Sequence, residues 1–569
     1  MIGVAVSPNE LDTVREFFEL FKTPWEPAVA GPTYRVVVST IGQPAGVETD
    51  LLIAYGSAES AIDRAARMKV KRTPGVQTAE WAGASFPLYR GTAGFDNGGA
   101  SALRSGRWAL DYRAVVEGRD CWRVGYDLFE EVRYLLTEGQ PASYALTPTL
   151  DLHIALLRDL LTQSGVSFLE VTPHPPGCEF ICCLTHDIDF FGIRRHLFDR
   201  TLAGFVARAS VGTLADLIRR KRPLAEALRN WAALLCLPLV FLRVLPDFWR
   251  PIDDYERADG GRPSTFFVVP FRDRPGVARD GVVDRTRAVR YQASEVAGQL
   301  KAAADRGREL GVHGIDAWRD ADAGRAELEQ ITALTGGRTA GVRMHWLYFD
   351  DQSASRLESA GFAFDSTCGY NDALGYRAGT SQVYRLPGTG GLLELPLTIM
   401  DSALFYPSHM GLNRDEALEA CRPIVANARR YGGTIVINWH DRSLAPERQW
   451  GDAYRTLLDE LGTTGGCFTT AAGAVDWFRW RRSIAFEMGH SSSKNRVRVS
   501  APSASARGVV VRVFRPGLHA SDALDEFQYN GTAIVEVDIP ATGDGNDAQG
   551  GDTCPHTTTL IEVQPDPAQ

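Results

Sequence analysis

The residues best suited to chemistry stand at the end of one apolar segment. Residues 180–183 read Phe-Ile-Cys-Cys, and residues 184–189 continue as Leu-Thr-His-Asp-Ile-Asp. In a β-strand, side chains two residues apart point to the same face, so Asp187 and Asp189 can enter one pocket. Two carboxylates this close do not both ionise freely unless a cation or a hydrogen-bond donor lies between them. The spacing therefore predicts one carboxylate that binds a metal and one that acts as a base.

Three further strand-like segments each end at a histidine, namely His313, His345 and His440. His186 stands in the same position in the first segment. A single histidine after an apolar run is usually a core or loop residue, but four such endings in one domain are harder to explain structurally. In α/β barrels the carboxyl ends of the strands meet at one face, where active sites lie. We therefore predict that these strand ends form one site.

The elements that must position these residues alternate along the chain. Between residues 178 and 482, strand-like segments such as 264–270 are separated by helical ones such as 414–431. Strands joined by helical crossovers indicate a parallel sheet. We therefore predict an α/β fold, with a barrel or partial barrel over residues 178–482 that carries a mostly helical insertion at 191–260.

Length and charge bound the rest of the chain. A chain of 569 residues is too long for one hydrophobic core. We predict an N-terminal α/β accessory domain at residues 1–175 and a small C-terminal β module at residues 487–569. The net charge of −9 gives no electrostatic footprint for nucleic acid at the level of the whole chain. No nucleic-acid partner is therefore expected.

The cysteines and the N-terminus bear on the location of the protein. Nine cysteines, of which Cys182, Cys183 and Cys236 lie in apolar runs, indicate reduced, buried thiols rather than a disulfide framework. The sequence has no Cys-x-x-Cys pair, which argues against a zinc site made of cysteines. Residues 1–12 lack the basic region and apolar core of a signal peptide. Together these features predict a cytoplasmic protein.

The insertion leaves two alternatives open. Residues 231–244 read WAALLCLPLVFLRV, and they follow the basic run at residues 219–222. The apolar segment is too short to cross a bilayer unaided. It could form a buried helix pair that covers the barrel, or it could contact a membrane surface or a lipid-linked substrate.

Convergence of Asp189, His313 and His345 would create a hydrolytic metal site. Two imidazoles and one carboxylate with open coordination positions suit zinc, which lowers the pKa of bound water to about 7. Asp187 would then act as the general base, and His440 could protonate the leaving group.

Two further residues near these strand ends have alternative roles. Arg343 precedes His345 by two residues and shares its face, so it can hold a carboxylate in its ionised form or form a structural salt bridge. Asp316 follows His313 by three residues. It is either a rival third metal ligand or a cap for the helix that follows.

Six motifs in this order resemble the polysaccharide deacetylase superfamily, the family 4 carbohydrate esterases. Over roughly residues 178–450 they read Thr-His-Asp-x-Asp, Ser-Thr-Phe-Phe-Val, Gly-Val-His-Gly, Arg-x-His-Trp, Phe-Asp-Ser-Thr and Ile-Asn-Trp-His. The resemblance implies a distorted (β/α) barrel in which Asp187 is the base and Asp189 binds the metal. It also implies that His440 is the general acid and that Arg343 orients the base.

The chain departs from that family in its histidine ligands. The family usually supplies both from a single His-x-x-x-His, but residue 317 is alanine here, so only His313 matches. We predict that His345 replaces the missing ligand. Residues 369–380 and the N-terminal region resemble a subgroup that carries an accessory domain and is often linked with surface-glycan genes.

These features predict a metal-dependent de-N-acetylase. Its substrate would be an N-acetylated sugar in a polysaccharide, an oligosaccharide or a glycolipid, and its cofactor a divalent metal, zinc before others. Two alternatives stay open. One is a catalytically degenerate barrel that binds glycan or scaffolds an assembly, and the other is a hydrolase of a small non-sugar amide.

Overall fold

A computed structural model describes residues 1–96, 101–219, 223–338, 340–491, 494–500, 508–514, 525–529 and 534–539. The chain divides into two compact units. One comprises Met1–Leu135, Thr149–Pro176 and Phe478–Gln569, and the other comprises Leu136–Pro148 and Gly177–Trp477. The boundaries that the sequence suggested at residues 175, 482 and 487 stay a prediction.

The first unit contains two six-stranded sheets. One has the order Asp111–Val116, Arg119–Val124, Glu48–Tyr55, Thr33–Ser39, Ile2–Ala5 and Trp25–Pro27. Its first two strands are antiparallel to each other, and all its other neighbours are parallel. The other is antiparallel, in the order Val70–Thr73, Thr92–Phe95, Trp108–Ala109, Leu103–Ser105, Gln77–Trp81 and Ala84–Leu88. Helices in this part of the chain are Leu11–Phe21, Ala61–Ala65, Leu128–Thr137 and Thr149–Gln163.

The strands near the C-terminus form two small antiparallel sheets. Val509–Phe514 pairs with Phe168–Val171 on one side and with Asp525–Tyr529 on the other. The second sheet has the order Ala485–Ser491, Lys494–Ser500 and Ile534–Ile539. Residues 540–569 of the predicted C-terminal module lie outside the described residues.

The second unit is a distorted (β/α) barrel, so the predicted fold class is confirmed. Its strands are all parallel, in the order Val342–Met344, Glu309–Gly314, Ser264–Val268, Phe180–Ile188, Thr434–Asn438 and Ile399–Met400, with Gly466–Thr469 beside the first half of Phe180–Ile188. All nine residues of Phe180–Ile188 are buried. A central parallel strand is covered on both faces, which is why this segment is almost continuously apolar until it reaches the site.

Helices connect the barrel strands and set their direction. They are Pro251–Ala258, Ala297–Asp305, Ala321–Thr332, Ser353–Ala360, Asp401–Phe405, Arg414–Tyr431, Gly451–Thr463 and Ala471–Arg482. A short antiparallel pair, Tyr384–Arg385 with Leu393–Glu394, lies beside them. The insertion after Phe180–Ile188 contains a continuous helix from Arg200 to Ile218 and a second helix at Leu224–Phe241. Because every crossover is helical, the strands stay parallel and their carboxyl ends gather at one face.

Two cysteines of the barrel are bonded, which corrects the expectation of reduced thiols throughout. Cys178 and Cys467 form a disulfide with their Cα atoms 5.6 Å apart, although 289 residues separate them along the chain. They meet because Gly466–Thr469 pairs with the start of Phe180–Ile188, a contact that no local pattern reveals. Disulfides persist in oxidising compartments. The bond therefore argues against the predicted cytoplasmic location. That location stays a prediction.

Replacement of Cys178 by serine is expected to lower the free energy of unfolding by about 2–4 kcal/mol, because the disulfide closes a long loop in the unfolded chain. Denaturant unfolding without reductant measures this loss. Cys236→Ser is the matched control, since Cys236 is a free, half-buried thiol. Peptide mapping under non-reducing conditions that finds Cys178 and Cys467 unlinked would contradict the pairing.

Candidate metal centre and proton-transfer site

A cavity of about 330 Å³ opens at the carboxyl ends of the barrel strands. Its lining includes five residues that the sequence singled out, which are Asp187, Asp189, His313, His345 and His440. These side chains come from the ends of four different strands. The cavity wall also contains Met344, Trp346, Leu347, Tyr348, Asn371, Met400, Ser402, Tyr406 and His409.

Asp189, His313 and His345 meet at one side of the cavity. Oδ1 of Asp189 lies 3.4 Å from Nε2 of His313 and 3.4 Å from Nε2 of His345. One possible ligand atom from each residue lies within 4.8 Å of the other two. Among the described residues, this buried carboxylate oxygen has no hydrogen-bond partner of good geometry. A buried, unsatisfied oxygen that faces two ring nitrogens is what a missing cation would leave.

The two imidazoles are prepared for this role in different ways. Nδ1 of His313 lies 2.9 Å from the carbonyl oxygen of Arg343, so Nδ1 carries a hydrogen and Nε2 is the ring nitrogen that faces the cluster. Burial would lower the pKa of His313, but the carboxylates of Asp187 and Asp189 outweigh it and raise the pKa. Burial is the main effect on His345 and lowers its pKa to about 3, although Asp189 opposes the shift. His345 is therefore a neutral imidazole, the form that binds metals.

The donor set fits a divalent late transition metal. Two imidazole nitrogens and one carboxylate oxygen suit zinc and its neighbours, whereas magnesium prefers oxygen ligands alone. Three protein ligands also leave coordination positions open toward the cavity, as catalytic rather than structural sites do.

Asp187 is held as an ionised carboxylate between two donors. Nη1 of Arg343 donates to its Oδ1 at 3.1 Å, and Nδ2 of Asn438 donates to its Oδ2 at 2.7 Å. Burial alone would raise the pKa of Asp187, but the charges of His313 and Arg343 outweigh it and lower the pKa. Its Oδ2 lies 3.9 Å from Nε2 of His313, so a charged base stands beside the metal ligands.

Arg343 is a fully buried support for this base. Its Nε donates to the carbonyl oxygen of Ser366 at 3.0 Å, its Nη2 to the Ser366 hydroxyl at 2.9 Å, and its Nη1 to the Thr185 hydroxyl at 2.7 Å. The guanidinium also lies over the ring of Phe267. Its planar fork is held in one orientation, so Asp187 cannot turn away from the cavity.

His440 is paired with an acid that sequence reasoning missed. Its Nδ1 lies 2.5 Å from Oδ1 of Asp401, and its backbone N–H donates to Oδ2 of Asp401 at 2.8 Å. Burial would lower the pKa of His440, but the Asp401 carboxylate outweighs it and raises the pKa to about 10. Ser443 donates a further hydrogen bond to Asp401. His440 is thus a protonated imidazolium whose Nε2 is turned toward the cavity.

The remaining sequence candidates lie outside the cluster. The carboxylate of Asp316 accepts a hydrogen bond from the Val277 backbone N–H at 3.1 Å, and Asp320 caps the following helix instead. Ala317, where the resemblance in sequence implies a second histidine, is fully buried and packs near Gly324. Position 317 therefore lies in helix packing, and the second imidazole of the cluster is that of His345.

His186 is a structural residue. Its Nδ1 lies 3.0 Å from the Trp439 carbonyl oxygen, and its ring stacks on Tyr255 with centroids 3.7 Å apart. It is fully buried and does not line the cavity, because it alternates with Asp187 and Asp189 along the strand. Asp187 and Asp189 point one way, and His186 points the other.

Two residues of the site had a usable signal in the sequence. Asn438 precedes His440 by two residues in the same strand ending, so it shares that face. Asp401 follows the short strand Ile399–Met400 directly, in the same way that His345 follows Val342–Met344. Thr185 and Ser366, by contrast, are common residue types with no spacing that marks them.

Comparison with known proteins finds only distant structural likenesses. No family model matches the chain, and no curated protein is significantly similar to it in sequence. Solved structures that resemble it include a protein assigned as a polysaccharide deacetylase from Mycobacterium smegmatis, at 20% identity and a TM-score of 0.33, covering 57% of this chain and 100% of that one.

Two other solved structures are similar to a comparable extent. A protein assigned as a polysaccharide deacetylase from Pseudomonas aeruginosa PAO1 has 15% identity and a TM-score of 0.32, covering 54% of this chain and 94% of that one. Puue allantoinase has 15% identity and a TM-score of 0.32, covering 54% and 93%. At these identities and TM-scores the likeness carries no argument about what this chain does, which depends on its own residues.

Proposed function

We propose that the barrel unit is a metal-dependent hydrolase that removes the acetyl group from an N-acetylated sugar. One observation carries the proposal. A single cavity contains a cluster of metal-ligand type, formed by Asp189, His313 and His345, together with an ionised carboxylate and a protonated imidazole. Hydrolysis of an amide needs all three, because water must be activated, the carbonyl polarised and the departing amine protonated.

Asp187 is the general base of this proposal. When bound, a divalent cation supplies Lewis-acid activation of water and of the substrate carbonyl. Asp187 accepts the proton that the attacking water loses, since it is ionised and lies beside the metal ligands. Arg343 and Asn438 each occupy one of its oxygens, and they keep the carboxylate aimed at the reacting atoms.

His440 is the general acid. Asp401 holds Nδ1, so the proton on Nε2 faces the cavity and can pass to the nitrogen of the departing amine. The raised pKa keeps this proton on the ring at neutral pH. Base and acid thus stand in opposite protonation states in one cavity, which is the arrangement that acid–base hydrolysis needs.

The cavity wall suits a sugar. The cavity is lined by three aromatic side chains, Trp346, Tyr348 and Tyr406, and by the amide side chain of Asn371, residue types that commonly contact the apolar side and the hydroxyl groups of a sugar. Trp346 is 40% exposed although its side chain is large and apolar. A cavity of about 330 Å³ is at the small end of ligand sites, and it fits one sugar residue with its acetamido group.

The test is acetate release by the full chain from N-acetylglucosamine oligomers, with equimolar zinc and with a chelator. We expect acetate and free amine to form in equal amounts with metal and neither to form with the chelator. If the protein binds metal and releases no acetate but hydrolyses small cyclic amides, the substrate is a small non-sugar amide and not an N-acetylated sugar. Failure to bind any divalent metal would overturn the proposal and favour a degenerate glycan-binding barrel.

Asp401→Asn is expected to move the alkaline limb of the pH–rate profile to lower pH. Removing the Asp401 charge removes the main factor that raises the pKa of His440, and one opposite charge changes a pKa by about 1–3 units. A general acid works only below its pKa, so activity is lost at lower pH in the variant. Ser443→Ala is the matched control, because it removes a partner of Asp401 without removing the charge. An unchanged alkaline limb would show that His440 is not the general acid.

A further inference from the structure

The two helices of the insertion expose an unusual amount of apolar surface. Twelve of the 22 large apolar side chains that are exposed in the described part of the chain lie between residues 197 and 244. On the first helix, Val211 and Ile218 are 72% and 73% exposed, and on the second helix Leu235 is 79% exposed. Phe198, in the loop that precedes the first helix, is 92% exposed. Monomeric soluble proteins seldom leave apolar surface of this extent uncovered.

The two helices, Arg200–Ile218 and Leu224–Phe241, are called the hairpin below. The face of the hairpin opposite to these exposed side chains is packed on the barrel. Phe205, Leu237 and Val240 belong to a buried cluster that also contains Trp249 and Ala445. Nδ2 of Asn230 on the second helix donates to the Thr213 hydroxyl on the first at 2.8 Å. The hairpin is therefore apolar on both sides, with one side used by the fold and the other side exposed.

The low burial of the two helices differs from that of an ordinary core helix. Arg200–Ile218 and Leu224–Phe241 are long and apolar enough to cross a membrane, yet only 17% and 28% of their most apolar stretches are buried. A core helix of a soluble protein with this composition is mostly buried. Because the inner face packs on Trp249 and Ala445, only the outer face is free to meet lipid.

The charge of the hairpin differs in sign from that of the protein. Residues 200–243 contain eight arginines and lysines against two acidic residues, whereas the whole chain has a net charge of −9. Arg219 stands at the end of the first helix, and Arg229 is exposed on the second. In sequence, residues 219–222 are four consecutive cations. Basic residues that flank an exposed apolar face are typical of helices that lie in an anionic membrane surface.

We propose that the helices Arg200–Ile218 and Leu224–Phe241, together with Phe198, bind the surface of an anionic lipid bilayer, with their outer apolar face in the headgroup and acyl boundary. A second copy of this chain fits less well, since a symmetric contact would bring two such basic clusters together. The hairpin leaves the barrel at the end of Phe180–Ile188 that carries Asp187 and Asp189.

The experiment is flotation of the full chain with vesicles of phosphatidylcholine and with vesicles of equal parts phosphatidylcholine and phosphatidylglycerol. We expect binding to the anionic vesicles that weakens at high salt. The affinity of the variant Val211→Gln/Ile218→Gln/Leu235→Gln for the anionic vesicles should fall at least about tenfold, because apolar area drives insertion. Glutamine keeps helix propensity high, so the hairpin itself should persist.

A matched control removes the same number of exposed apolar side chains from the first unit. Val29→Gln/Ile41→Gln/Val115→Gln should float like the wild type. Phe198→Ser, which lies outside the helices, provides a second test should the triple variant fail to fold, and it should also weaken binding. Equal flotation of wild type and outer-face variants, or no binding of the wild type, would overturn the proposal. A solution dimer that the triple variant dissociates would assign the face to a second copy instead.

Discussion

Replacing His313 with alanine is expected to empty the metal site and to abolish hydrolysis. His313 supplies one of three possible ligands, and its Nδ1 is fixed by the Arg343 carbonyl oxygen. Loss of an outer partner of a ligand alone costs about 10–100-fold in metal affinity, so loss of the ligand should cost more. Elemental analysis of protein purified without chelator measures the occupancy.

His409→Ala is the matched control for this experiment. His409 lines the same cavity, but its Nδ1 lies 3.0 Å from the Ser402 carbonyl oxygen and it is not part of the cluster. We expect the control to keep about one divalent ion per chain. Full occupancy in His313→Ala would remove this residue from the ligand set, whatever happens to the activity.

Asp187→Asn is expected to keep the fold and the metal while lowering turnover by on the order of 10²–10⁴, the usual contribution of a general base. Asparagine preserves the shape of the side chain but cannot accept the proton. Since Arg343 would lose its ionic partner in a fully buried position, some stability should be lost as well. Steady-state acetate release and thermal unfolding together separate the two effects.

Two comparisons make this result interpretable. Asp316→Asn changes a nearby acid that does not line the cavity, and it should leave turnover unchanged. His440→Ala should lose a factor similar to that of Asp187→Asn, and the double variant should lose much less than the product, because both residues act in one reaction path. Near-normal turnover in Asp187→Asn would exclude Asp187 as the base.

The sequence by itself determined the direction of the key side chains. Strand period places Asp187 and Asp189 on one face and His186 on the other, and the structure shows this division in the cavity and in the core. Alternating strands and helices determined the parallel barrel, because such crossovers allow little else. Residues that follow a strand directly, such as His345, could be named without knowing the neighbouring strands.

Only the tertiary structure decided which distant segments become partners. Asp401 reaches His440, Asn438 reaches Asp187, and Cys178 reaches Cys467 across 289 residues. Val509–Phe514 finds its place beside Phe168–Val171. Local periodicity encodes the type of an element and the face that it buries, whereas pairing depends on packing between elements far apart in the chain. That is why the sequence could name an acid and a base but not the residues that hold them in their protonation states.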